Sequence, residues 1–193
     1  VFVGDERVNV YLTNALDPSR DISQQLDGIM PALAHEAKAV NELKKDSFFT
    51  VVIGNPPYSI MSGNLSQEAR RIVDPFRFVD GELIREKSAL NVERTIQDDY
   101  VKFFALARNL ISSSGAGVLG YISNNSYQDN INLRGMRNDL FNVFKHIEIV
   151  DLHGAALHGR LNEFGKKDEN VFDIRTAVAI FVGSTEAKEN SGL

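Results

Sequence analysis

The run Phe48-Phe49-Thr50-Val51-Val52-Ile53-Gly54-Asn55-Pro56-Pro57-Tyr58 joins an apolar stretch to a proline corner. The first part, rich in β-branched and aromatic residues, predicts a buried strand. Neither proline can donate to a ladder, so the strand must leave its sheet at Asn55. The proline that follows holds Asn55 extended. The corner therefore sits at the carboxyl end of a strand, where open α/β sheets place ligands. It offers an amide oxygen, the carbonyl of Pro56 and the ring of Tyr58. Two acceptors beside an aromatic face suit a planar amino group. A tight turn containing Asn and Pro is the plainer alternative.

On either side the chain alternates strands and helices. Val8-Asn9-Val10-Tyr11-Leu12 reads as a short strand ending at Asn14 and Ala15, and helical spacing of Leu33, Ala37, Val40 and Leu43 predicts a helix over 29–45. A helix over 96–112 carries the stripe Tyr100, Phe103, Phe104, Ala107, Leu110 and Ile111, with Asp98 and Asp99 near its start. A strand over 117–122, a helix over 134–144 and strands over 147–152 and 175–182 follow. This order predicts the later part of a three-layer α/β domain. Residues 59–95 are polar with weak periodicity and read as a long insertion or lid, or as plain disorder. Residues 183–193 read as a flexible tail. The chain is expected to be one partial domain over 1–193.

The 193 residues carry a formal charge of −5, a pI near 5.4 and no cysteine. Disulfides, cysteine-based zinc sites and thiol catalysis are excluded. His35, His146, His153 and His158 lack metal-ligand spacing, and no metal is expected. An acidic chain is a poor binder of phosphate by itself, so contact with nucleic acid would fall to other parts of a larger protein. The basic pairs Arg70-Arg71 and Arg134 with Arg137 read as solvated faces. No stretch approaches a membrane span, and the first residues form no signal peptide. Without an initiating Met, the chain reads as a piece of a longer protein. Gly115-Ala116-Gly117 precedes its strand, which rules it out as a nucleotide loop, and no Gly-x-Ser-x-Gly elbow occurs.

The corner together with several later segments resembles a known family. Gln97-Asp98-Asp99-Tyr100-Val101-Lys102-Phe103, Gly120-Tyr121-Ile122-Ser123-Asn124-Asn125-Ser126-Tyr127, Leu133-Arg134-Gly135-Met136-Arg137, Ile149-Val150-Asp151-Leu152-His153-Gly154 and Asp168-Glu169-Asn170-Val171-Phe172-Asp173-Ile174 follow it in order. The chain from Val8 to Val182 is similar to the methyltransferase region of large single-chain restriction–modification enzymes, type ISP and type IIG-like. The resemblance implies a SAM-dependent methyltransferase (Rossmann-like) sheet, here an incomplete C-terminal part. It implies methyl transfer from S-adenosylmethionine (SAM) to N6 of an adenine flipped out of double-stranded DNA.

Under that resemblance Asn55, Pro56, Pro57 and Tyr58 are catalytic. Asn55 and the Pro56 carbonyl accept the amino hydrogens and Tyr58 stacks on the base. Phe172 is either a second stacking ring or a core residue at a strand entry. Asn14, with Ala15, either contacts the cofactor beside Asn55 or caps a turn. The family's glycine-rich SAM loop, its ribose-binding acid and its target-recognition domain have no counterpart here. They are expected upstream and downstream in a bacterial or archaeal cytoplasmic parent. Enzymes that methylate RNA or protein glutamine share the corner, and a non-catalytic scaffold or specificity module of a restriction complex is a further reading. Alone, the fragment is expected to bind SAM poorly and to methylate nothing. Transfer of labelled methyl by the isolated chain is the measurement that would overturn this.

Overall fold

The computed structural model describes residues 10–17, 31–46, 48–58, 62–85, 89–154, 165, 172 and 176–186. The chain divides into two compact units, Val1–Ser47 and Phe48–Leu193. In the first, helix α1 (Pro31–Asp46) lies where apolar spacing predicts it. Val8 and Asn9 of the expected first strand lie outside the described residues, and residues 10–14 are not a strand. A strand exists only against a neighbour's ladder, and none among the described residues pairs with this segment. Instead the Leu12 N–H donates to Glu36 Oε1 at 3.1 Å, and Lys44 Nζ donates to the carbonyls of Asn14 and Asp17, both at 2.9 Å.

The second unit is built on a four-stranded sheet. Its strands are β1 (Val51–Gly54), β4 (Val118–Asn124), β5 (His146–Asp151) and β6 (Val178–Ser184). They lie in the order β1-β4-β6-β5. β1 runs parallel to β4, with Gly54 opposite Tyr121. β6 runs antiparallel to both β4 and β5, so β4 and β5 point the same way with a reversed strand between them. The α/β class predicted from the sequence is thus present as a mixed sheet. Strand bounds differ from expectation at the carboxyl ends. β4 runs on through Ser123 and Asn124. β6 includes Gly183 and Ser184, which pair with Leu119 and Val118 where a flexible tail was expected. Ladder partners on β4 extend the strand beyond what its own residues signal.

Helices α4 (Asp99–Ser114) and α5 (Arg134–Val143) cover one face of the sheet. The helix predicted over 96–112 begins at Asp99. Ile96 instead ends α3 (Ala89–Ile96), which lies in the stretch expected to be a polar insertion, and Asp98 takes extended φ/ψ as the N-cap of α4. α4 ends at Gly115, in the left-handed region with φ 80°, where glycine is favoured. Tyr100, Phe104, Ala107 and Ile111 recur at helical spacing along its buried face. There Phe104 shares one core with Leu119, Tyr121 and Phe181 of the sheet and with Met136 and Leu140 of α5. Arg108 of α4 makes a two-point ion pair with Asp139 of α5, at 2.8 and 2.6 Å. The opposite face is less covered. Val51 and Ile53 are 57% and 82% exposed, so β1 is not the buried strand expected from its apolar run. Among the described residues it pairs with β4 alone, as an edge strand, and Val52 on its other face packs against the core.

Residues 62–85 and 89–96 supply structure that weak periodicity hides. Ser66 caps the short helix α2 (Gln67–Arg71), accepting from the Ala69 N–H. A 3-10 turn (Asp74–Arg77) follows, then a hairpin of β2 (Phe78–Val79) and β3 (Glu82–Leu83). Asp80 and Gly81 both take positive φ, 50° and 83°, which is what a two-residue hairpin turn of the Asp-Gly kind requires. Val73, Phe76 and Ile96 are fully buried. Arg77 holds the 3-10 turn to α3 by two bonds to Glu93, at 2.9 and 2.8 Å.

α5 packs so tightly on this segment that a Cβ at Gly135 would collide with the Phe76 carbonyl. Gly135→Ala should therefore lower stability by about 1–3 kcal/mol, although alanine is the better helix former by about 1 kcal/mol. Gly120→Ala, whose Cβ would meet nothing closer than Ile53 at 4.0 Å, should leave the unfolding midpoint nearly unchanged. Thermal melts of the two variants check the contrast.

Candidate active site

The Asn55-Pro56-Pro57-Tyr58 corner lies at the carboxyl end of β1, as its two prolines dictate. Gly54 allows the close approach that seats it. A Cβ there would stand 2.8 Å from the Tyr121 ring, so the strand can lie under that ring only as glycine. Tyr121 is itself held by its hydroxyl, which donates to the Phe103 carbonyl at 3.4 Å, and burial pushes its pKa up to about 12. Pro56 is buried, Asn55 and Pro57 are exposed, and Tyr58 is half-buried. Burial raises the pKa of the Tyr58 hydroxyl, while a hydrogen bond with the Asn55 side chain draws it down.

β1, β4 and β5 all point the same way, so their carboxyl ends share one edge of the sheet. At the end of β4, Asn124 is 4% exposed, and its Oδ1 accepts from the Ser126 N–H at 2.8 Å. Asn125 Nδ2 donates to Asp151 Oδ1 at 3.2 Å, tying this turn to the end of β5. A cavity of about 410 Å³ opens beside the turn, lined among others by Arg94, Asp98, Tyr100, Asn124 and Ser126. The Tyr100 hydroxyl is buried with no hydrogen-bond partner, and burial raises its pKa, helped by the charge of Asp98. Asp98 is 7% exposed. Burial, reinforced by the Asp99 charge and opposed by Lys102, pushes its carboxyl up to about 7.

A buried polar cluster lies at the first turn of α4. Lys102 is fully buried and Asp99 nearly so. Lys102 Nζ donates to Ser62 Oγ and to the Asn64 carbonyl, both at 2.7 Å. Asp99 Oδ1 accepts from Ser62 Oγ at 2.5 Å and from Asn64 Nδ2 at 2.9 Å. None of these residues stands out in the sequence as a site residue. A lysine on the apolar side of α4, between Val101 and Phe103, is the only signal that could have revealed it.

The other expected site residues are Asn14, Ala15 and Phe172. Asn14 Oδ1 accepts from the Leu16 N–H at 3.1 Å, an Asx turn, and Ala15 is exposed; both belong to the first unit. Phe172 is 38% exposed, and its flanking residues lie outside the described part. Among the described residues no group of three or more His, Asp and Glu is placed to hold a metal ion, and no helix is long and apolar enough to cross a membrane.

The profile of a family described as Eco57I restriction-modification methylase matches residues 6–157. No curated protein matches the chain. Among solved structures it is similar to the ATP-dependent Type ISP restriction-modification enzyme LlaBIII bound to DNA, at 24% identity and a TM-score of 0.60 over 80% of this chain. It is similar to the DrdV–DNA complex at 22% identity and a TM-score of 0.62 over 93%. A nuclease-deletion mutant of the Type ISP enzyme LlaGI with a DNA substrate mimic gives 22% and 0.58 over 81%. At these identities the likeness is one of fold. The matches cover 10%, 17% and 13% of those three chains, so this chain spans only a small part of their length.

Asp98 carries a pH signature. Its folded carboxyl holds a proton up to about pH 7, against 3.8 for the unperturbed group. Between those values the folded state binds the extra proton, so this group's contribution falls as pH rises and is level above about 7. Asparagine caps helices as well as aspartate does. Asp98→Asn should therefore gain stability over the parent sequence progressively between pH 4 and pH 7, an interval of about three units. Denaturant titrations of both proteins across that range check it; a difference independent of pH would refute it.

Proposed function

The chain belongs to the Eco57I restriction-modification methylase family, and on that premise we propose that its corner presents N6 of a flipped adenine in DNA for methylation from SAM. The observation that carries the reading is the corner itself: an exposed Asn55, linked to a half-buried Tyr58, at the carboxyl edge of a parallel strand pair. Adenine N6 has two N–H donors. The Asn55 amide oxygen accepts one and the Pro56 carbonyl, beyond the end of β1, accepts the other. Both bonds pull hydrogens into one plane and turn the nitrogen lone pair out of it, toward an incoming methyl group. The Tyr58 ring stacks on the base and takes the place of the neighbouring bases it leaves behind in the duplex. Positioning of this kind supplies much of the rate. The amine sheds its proton after transfer, so no His or Cys base is required.

Bound SAM supplies the electrophilic methyl group. The residues present fit that cofactor only in part. Asn14 and Ala15 are the candidates to face its adenine, but the Asn14 amide oxygen is engaged by Leu16 and its carbonyl by Lys44. No strand among the described residues runs into a glycine-rich turn that opens a helix. The methionine end of the cofactor would be held by an upstream segment, and duplex DNA by the rest of a larger restriction–modification enzyme with its target-recognition domain.

The test is transfer of labelled methyl from SAM to unmethylated DNA by the full-length protein. Label should appear as N6-methyladenine. Asn55→Ala should lose at least about a hundredfold in rate, because the amino group loses one of its two acceptors. Tyr58→Ala should weaken productive binding by about tenfold to a hundredfold, the worth of one base stack at roughly 1–3 kcal/mol. Label on RNA or on protein glutamine instead of DNA would move the reading to those substrates, and no transfer at all would leave a scaffold.

A further inference from the structure

We propose that Asp99 and Lys102 are positioning residues for the Asn55–Tyr58 corner, fastening the chain that leaves it to the first turn of α4. The inference deepens the reading of the corner as a base-binding site and rests on it. Ser62 and Asn64 follow the corner closely, and both are gripped from α4. The Ser62 hydroxyl donates to Asp99 Oδ1 at 2.5 Å and accepts from Lys102 Nζ at 2.7 Å, bridging the two charges. Asn64 is held at both ends, its amide by Asp99 and its carbonyl by Lys102. Ser62 Oγ also accepts from the Asn64 N–H at 3.0 Å, which closes the loop on itself.

Energetics speak against a purely stabilising role. Lysine and aspartate are almost never fully buried unless paired, and taking two charges out of water is a poor source of stability compared with apolar packing of the same volume. The helix adds nothing for Lys102. A cation in the first turn opposes the helix dipole, whereas Asp99 there is favoured. Burial lowers the Lys102 pKa, with Asp99 acting to raise it. What the arrangement does provide is direction: fixed donors and acceptors that admit one placement of residues 62–64.

That placement bears on the corner by simple reach. Tyr58 and Ser62 are four residues apart, a span of at most about 14 Å. On the other side, Gly54 is fixed in the ladder opposite Tyr121 and under its ring. The corner is thus strung between two fixtures, β4 before it and α4 after it. Both belong to the same core, because Phe104 of α4 packs against Tyr121. A reaction that depends on aligning a lone pair is sensitive to displacements of about 1 Å, which can cost about a hundredfold in rate.

The experiment uses the full-length protein with three variants, Ser62→Ala, Asp99→Asn and Lys102→Met, beside the parent sequence and Asn55→Ala. Ser62→Ala keeps both charges and removes only the bridge, so it guards against misfolding of the other two. Each is measured for thermal unfolding, for DNA affinity, and for kcat and KM in methyl transfer. 2-Aminopurine at the target position reports base flipping by its fluorescence. The inference expects kcat to fall at least about tenfold, with the KM for DNA and the unfolding midpoint little changed and a weaker 2-aminopurine signal. Unchanged kcat in folded variants, beside an inactive Asn55→Ala, overturns the clamp and leaves the corner standing. Activity losses that follow loss of folded protein in all three variants also overturn it. An active Asn55→Ala removes the reading of the corner and this inference with it.

Discussion

The ring of Phe104 lies 5.2 Å from each of three others, Tyr121, Tyr127 and Phe181, in edge-on and tilted contacts. One residue of α4 thereby touches β4, the turn that follows it and the reversed strand β6. Phe144 joins from the end of α5, 5.8 Å from Phe181. Such pairs add about 0.5–1.5 kcal/mol each beyond the area they bury. Their larger consequence is geometric. They set α4 at a fixed height on the sheet, and α4 in turn carries Asp99, Lys102 and the Asp98 cap at its amino end. That end faces the residues that follow the corner. The packing of one aromatic cluster thus decides where the polar groups of the site can stand.

Glycine limits this arrangement at close approaches that no other residue permits. Gly54 lies under Tyr121, and a Cβ on Gly183 would meet the Phe144 ring at 2.9 Å and the Phe181 ring at 2.7 Å. Both belong to the cluster. Its rings are large enough to need the space a side chain would take, so the sheet yields it. The same packing leaves two buried hydroxyls, of Tyr100 and Tyr127, without partners, beside a carboxyl that burial holds partly protonated near neutrality. Groups that break the rules of stable packing in this way are expected at functional or strained sites.

Much of the candidate site was legible in the chain. Two prolines after an apolar run require a strand to end, and the residue types at that break already suit an amino group. The stripe on α4 announced its buried face, although Phe103 and Leu110 turned out only half-buried while Val101 and Ala105 went inside. The apolar run of β1 misled. Its burial depends on neighbours that a linear pattern cannot supply, and Ile53 is left 82% exposed. Residues 59–95 misled in the other direction, because a chain of short elements shows no sustained period. The Asp80-Gly81 hairpin turn was the local signal there.

Local chemistry was enough to dictate the α/β alternation, the helix stop at Gly115 and the corner at Asn55-Pro56-Pro57-Tyr58. Each of these follows from backbone restrictions that a residue carries wherever it is placed: a missing N–H, a fixed φ, a tolerated left-handed turn. The reversed strand between β4 and β5 and the burial of Lys102 came instead from the assembled fold. So did the hold that α4 has on Ser62 and Asn64. The hold on Ser62 and Asn64 spans 35 to 40 positions of chain and the β4–β6 ladder 54 to 66, and over such separations the energy of each choice depends on what else has already packed.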